Sequence, residues 1–184
     1  MYSFASGFRS NTIGFKSIAI GADCQAEGSY SIALGDQAST GLSGSWAVSL
    51  GRQCESNSIG TVAIGYQSVA DGAYSIALGY QDTVTSSGSY GVAIGYRNKA
   101  TSVYTLAMGT YTQATALYAS AFGNTTIASG QNSFAAGYLS EAKGYTATTF
   151  GTSNTASGYN SMALGYETEA QAYASLVIGQ YNIV

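Results

Sequence analysis

Apolar and small residues alternate in short bursts along this chain, and each burst ends on a glycine. Ser17-Ile18-Ala19-Ile20 precedes Gly21, Thr61-Val62-Ala63-Ile64 precedes Gly65, and Ser161-Met162-Ala163-Leu164 precedes Gly165. A period of two predicts a strand with Ile, Val, Leu, Phe or Met on one face and Ser, Thr or Ala on the other. The residues after each glycine alternate as well. The second, fourth and sixth are mostly polar (Asp23, Gln25, Glu27; Arg97, Lys99, Thr101), and the third and fifth are small (Ser68, Ala70; Asn98, Ala100). They predict a second short strand with one solvated face and one small inner face.

The glycines themselves keep the period. Gly7, Gly21, Gly35, Gly51, Gly65, Gly79, Gly95, Gly109, Gly123, Gly137, Gly151, Gly165 and Gly179 are 14 residues apart, except for intervals of 16 after Gly35 and Gly79. A short period held from end to end predicts a solenoid. The expected fold is therefore all-β: a parallel β-solenoid, or β-roll, of about 13 coils with 14 residues and two short strands per coil. Residues 1–184 form one domain, a rod roughly 60 Å long at the usual strand spacing. The large apolar face of the first strand is expected to meet the small residues of the second in a thin interior. A further glycine seven places on (Gly14, Gly28, Gly72, Gly130, Gly144, Gly158) is expected to make the other corner. The wide intervals predict two-residue insertions in one turn, at residues 40–44 and 85–88.

One face of the first strand then lacks a partner. It carries Ser17, Ala19, Ser31, Ala33, Thr61, Ala63, Ser75, Ala77, Thr105, Ala107, Ser133, Ala135, Ser161 and Ala163. If exposed, this small, uncharged strip exceeds the apolar patch that a monomer usually shows. It is read as an oligomer interface; the alternative is a second side of a wider core.

Composition supports a chain that hides surface against partners. Only 8% of residues are charged, against about 25% in ordinary soluble domains. The net charge is −3 and no basic run exists, which excludes a nucleic-acid partner. The chain has no histidine, so the commonest general base and metal ligand is missing. No P-loop, nucleophile elbow or metal-ligand spacing is present. No enzyme activity, catalytic residue, metal or cofactor is expected. No apolar run approaches the roughly 20 residues of a membrane span, so direct insertion by this segment is not expected. Residues 1–7 carry no signal peptide and already belong to a repeat, and residues 175–184 break off inside one. The chain reads as a segment of a longer protein.

Cys24 and Cys54 share the column of Ser68, Asn98 and Thr168, three residues after a glycine. Two coils separate them by about 9.6 Å, beyond disulfide reach. They read as serine-sized fillers, with an interchain link open only if this column nears a molecular axis. Tyr30, Trp46, Tyr74, Tyr90, Tyr104 and Tyr118 all lie five residues before a glycine, and Tyr66, Tyr80, Tyr96, Tyr138 and Tyr166 lie just after one. Such rows become ladders. They either brace the turns by self-stacking or offer a platform for sugars and other surface ligands.

The run Ser-h-Ala-h-Gly-x-x-Ser-x-Ala-x-Gly, where h is apolar, is clearest at residues 61–72 and spans essentially the whole chain. It resembles the head repeat of trimeric autotransporter adhesins, the YadA-like head. The resemblance implies a left-handed roll, a side-by-side homotrimer and an outer-membrane-anchored parent on the bacterial cell surface. It also implies adhesion to matrix protein, glycan or cells through outer walls and turns. The same repeat resembles phage tail-fibre segments, which implies a rigid or receptor-binding part of a phage or contractile-injection fibre as the alternative. An ice-binding solenoid is a third reading; it favours a regular Thr-x-Thr row, which the Ser-x-Ala row does not supply. Ser120, Ala136, Thr148 and Thr149 depart from the repeat, and Phe122, Phe134 and Phe150 are placed to restore volume.

Overall fold

The computed structural model describes residues 2–182; Met1 and the final residues Ile183 and Val184 lie outside the described part. The chain is a parallel β-solenoid, with no helix among the described residues. Five-residue strands such as Ile18–Ala22 and Val62–Tyr66 stack into a 13-stranded sheet, and two-residue strands such as Gln25–Ala26 and Lys99–Ala100 into a 12-stranded one. Like residues pair with like: Ala63 beside Ala77, Gly65 beside Gly79. Register survives the wide intervals, with Ile32 paired to Val48 and Ser39 to Glu55. The extra residues bulge at a turn whose Leu42 is 72% exposed. The second strand is shorter than expected. Asp23, Arg97 and Glu167 have φ of 53°, 55° and 51°, so they form a left-handed corner and not a strand.

The interior corrects the expected arrangement of faces. Ser17, Ala19, Ser31, Ala33, Thr61, Ala63, Ser75, Ala77, Thr105, Ala107, Ser133, Ala135, Ser161 and Ala163 are all inside the coil, none more than 2% exposed. They are the core, not an oligomer interface. Ile18, Ile20, Ile64 and Met108, expected inside, point outward and are 36–40% exposed. The reason is volume. A coil closed in so few residues brings its two sheets too close for anything much larger than Ala, Ser, Thr, Cys or Asn. Val84 heads the fully buried side chains in size, and it fits because Gly91 and Gly88 lie against it. A Cβ there would come within 2.9 Å and 2.7 Å of Val84 Cγ1. Several of the buried hydroxyls close turns from within, though Ser75 Oγ and Ser133 Oγ have no partner. Ser17 Oγ donates to Gly14 O at 2.8 Å, Ser31 Oγ to Gly28 O at 2.6 Å and Ser161 Oγ to Gly158 O at 2.7 Å, as buried polar groups require. The flat row on which the ice-binding reading rested is thus not on the surface.

The second corner also differs. Its positive φ falls on the residue five before the next glycine: 57° at Tyr30 and Trp46, 56° at Tyr74. The extra glycines are required by close approach instead, since a Cβ on Gly144 would lie 2.0 Å from Gly158 O.

Three residues after each repeat glycine runs an interior column, polar at most positions. Several of its side chains donate to the glycine carbonyl of the next coil: Ser10 Oγ to Gly21 O at 2.9 Å, Asn98 Nδ2 to Gly109 O at 2.8 Å and Asn154 Nδ2 to Gly165 O at 2.8 Å. Cys24 and Cys54 belong to it as free, fully buried thiols, which closes them to interchain pairing in the folded coil. Asp82 is the one acid of this column. Its Oδ1 accepts from Asn98 N at 2.8 Å and Asn98 Nδ2 at 2.9 Å, while its buried Oδ2 has no hydrogen-bond partner. That Oδ2 lies against Gly79 where the other coils put Nδ2 of Asn98 and Asn154 against Gly95 and Gly151. An acceptor occupies a donor's place. Burial accordingly raises the Asp82 pKa above the usual carboxyl value. With the folded value raised, the Asp82 contribution is complete below the unfolded carboxyl pKa of about 4 and is lost as pH rises through the folded value. Asp82→Asn supplies the missing donor. It should stabilise the protein by about 1–3 kcal/mol at neutral pH, and the gain should shrink on acidification. Paired denaturant midpoints at neutral and acidic pH measure both effects.

Candidate functional site

The grooves among the described residues, such as those beside Tyr181, Tyr111 and Gln53, are open to solvent, so the candidate working parts are surfaces. The first is the outer face of the long-strand sheet, formed by the residues three and one before each repeat glycine and the one after it. Its apolar side chains come from the first two columns, while the third mixes Tyr66, Tyr80 and Tyr96 with polar residues such as Asp36, Arg52 and Asn124. The small residues Ser120, Ala136 and Thr148 lie on this face and not in the interior. Phe122, Phe134 and Phe150 close over them, with ring centroids 5.4 Å and 5.1 Å apart. Along the face's edge Tyr66, Tyr80 and Tyr96 stack at 4.9 Å.

The second surface is the aromatic corner. Tyr30 stacks on Trp46 at 6.1 Å, and Tyr74, Tyr90, Tyr104 and Tyr118 form a continuous ladder at 5.4, 5.0 and 5.2 Å. Gly60 takes the missing rung between them, and the Tyr74 ring leans over it, 2.7 Å from where a Cβ would sit. All six candidate aromatics are 44–59% exposed. Because each inner ring covers its neighbour's face, solvent meets ring edges and phenol hydroxyls rather than open faces. Their left-handed backbone is held by the preceding coil: Tyr74 N–H donates to Ile59 O at 2.8 Å and Tyr90 N–H to Ala73 O at 2.8 Å.

The third surface is the wall of the short-strand sheet with its left-handed corner. Side-chain amides form a ladder, Gln53 to Gln37 at 2.8 Å, Gln67 to Gln53 at 2.9 Å and Gln81 to Gln67 at 2.6 Å. The ladder ends on Arg97, whose Nε donates to Gln81 Oε1 at 2.6 Å. Ion pairs fix other charges of this wall, Arg9 with Asp23 at 2.6 Å and Lys143 with Glu141 at 3.0 Å, and Arg52 pairs with Asp36 at 3.2 Å on the edge of the long-strand face. Gln81, Arg97, Lys99, Tyr111 and Gln113 line an open groove. The alternation in the sequence marked these residues only as a solvated wall. The usable signal was charge spacing, since no acidic residue stands between Asp82 and Glu141.

Thirteen in-register coils with an Ala/Ser/Thr interior and an apolar outer sheet define a stacked-repeat β-solenoid. The family model for the YadA head domain repeat, each match spanning two copies, fits residues 13–38, 56–81, 86–112, 114–140, 142–168 and 156–181. These matches cover most of the chain, and it belongs to the YadA head repeat family. No curated protein matches it.

Proposed function

We propose that this chain is the head segment of a trimeric adhesin on a bacterial surface. Three copies lie side by side with their long-strand sheets turned inward. The carrying observation is the exposed apolar sheet face: Ile18, Ile20, Ile64 and Met108 cannot turn inward, because the interior is already filled by alanine, serine and threonine. Family membership and the 8% charge content support the same assembly. The rod then displays its aromatic corners and amide walls outward, where a matrix protein or glycan is met. Multi-angle light scattering at micromolar concentration should give three times the 18.8 kDa chain mass; a monomer mass overturns the assembly. Binding on glycan and matrix-protein arrays tests adhesion. Tyr74→Ala and Tyr104→Ala should weaken it if the corner ladder faces the ligand, and unchanged binding assigns that ladder to bracing the turns.

A further inference from the structure

We infer that the groove around Arg97 and Lys99 is a subsite for the anionic group of an acidic saccharide. Charge is the first reason. From residue 83 to residue 140 the sequence contains Arg97 and Lys99 and no acidic residue, within a chain of net charge −3. The other cations of the wall, Arg9 and Lys143, are neutralised by Asp23 and Glu141, whereas no carboxylate among the described residues is paired with these two. The second reason is preorganisation. Arg97 Nε is tied to Gln81 Oε1 at 2.6 Å and Nη1 to the Tyr111 hydroxyl at 3.0 Å. The guanidinium carbon lies 5.3 Å from the Tyr96 ring centre and 5.7 Å from that of Tyr111. The fork is held in place while its remaining N–H groups stay free for a carboxylate or sulfate. Lys99 adds an unpaired ammonium on the same groove, which it shares with Gln113 and Gln81.

The wall chemistry selects a sugar rather than a bare ion. Gln113 can donate to and accept from hydroxyls, and the Tyr111 ring, edge-on to Tyr96 at 5.4 Å, offers an apolar side to sugar C–H groups. Two cations without a basic run do not make a track for a nucleic-acid backbone. This site names the ligand class of the adhesive reading and rests on that reading for its setting. One subsite per chain would give weak single-site binding that a trimer multiplies by avidity.

The test titrates the intact protein with a sulfated heparin tetrasaccharide, with 3′-sialyllactose and with neutral lactose, by calorimetry at low and raised salt. The two acidic probes separate a sulfate from a carboxylate preference. Binding of at least one of them should exceed that of lactose and weaken with salt. The double variant Arg97→Gln/Lys99→Gln should bind about tenfold more weakly or worse. Both replacements fit their columns, since Gln already stands at 37, 53, 67 and 81 and at 25 and 113, so the variant should melt like the wild type. Arg9→Gln, which removes a paired cation, should leave binding unchanged. Equal binding by the double variant, lactose binding as well as both acidic probes, or no binding of either acidic probe overturns the subsite. Light scattering on the same samples keeps the outcomes apart: a trimer without acidic-sugar binding sinks the subsite alone, and a monomer sinks the assembly.

Discussion

Gly109→Ala should split the rod energetically at its middle. Gly109 has φ of +136°, a region that L side chains rarely adopt, and a Cβ there would lie 1.9 Å from Gly123 O in the adjacent strand. The obstacle is backbone, which no rotamer change removes. Gly109 pairs with Gly123 within a ladder running from Leu106–Ser120 to Thr110–Asn124, so relief means prising two coils apart. Backbone strain of about 1–3 kcal/mol adds to the lost ladder, and a total of at least about 4 kcal/mol places this among severe substitutions. Gly41→Ala is the contrast. Its nearest neighbour would be Asn57 Oδ1 at 3.1 Å, a side-chain atom, and its φ is not positive; it should cost less than about 1 kcal/mol. In a solenoid each coil touches only its neighbours, so the damage stays local. Urea unfolding of Gly109→Ala should lose its single transition, and limited proteolysis should cut near residues 109–123 to leave two resistant blocks. A variant that melts and resists protease like the wild type would refute the steric account.

The period, the parallel register and the turn insertions were legible because repetition makes each coil a check on the others. Which face turns inward was not, because strand alternation is unchanged when the two faces are exchanged. The deciding quantity is the gap between the sheets, and large apolar residues belong inside only when that gap is wide. The columns themselves held a clue. The inward column through Ala19, Ala63, Ala107 and Ala163 varies only among Ala, Ser, Thr and Val, whereas the outward column through Ile20 passes from Phe122 to Ala136 to Phe150. A tight interior tolerates no such swings in size, and an open face does. The aromatic corner was legible as a row. Its left-handed backbone was not, because glycine is the residue that ordinarily takes such positions; Gly60, aligned with Trp46 and Tyr74, is the one rung where it does. The Arg97 groove escaped a reading based on alternation because its meaning lies in the acids missing around it.

The double variant Ile76→Asp/Leu78→Asp should convert the trimer to a folded monomer. Both residues point outward from the strand Ile76–Tyr80, at the middle of the apolar face, while Ala77 between them remains in the core. The substitutions therefore leave the interior and both ladders untouched, and circular dichroism should still report β structure. In the assembly the same change is repeated in every copy of a symmetric contact. Each carboxylate would have to be desolvated against an apolar partner or set beside its own image, at a cost of several kcal/mol per copy. That is enough to move a micromolar trimer to monomer, since every 1.4 kcal/mol is about tenfold in affinity. Gln25→Asp, on the opposite wall, introduces a charge without meeting the face and should stay trimeric. Light scattering on the three proteins decides the matter. A trimeric double variant would remove the long-strand face as the interface, and it would leave the exposed isoleucines, leucines and phenylalanines of that sheet without a reason.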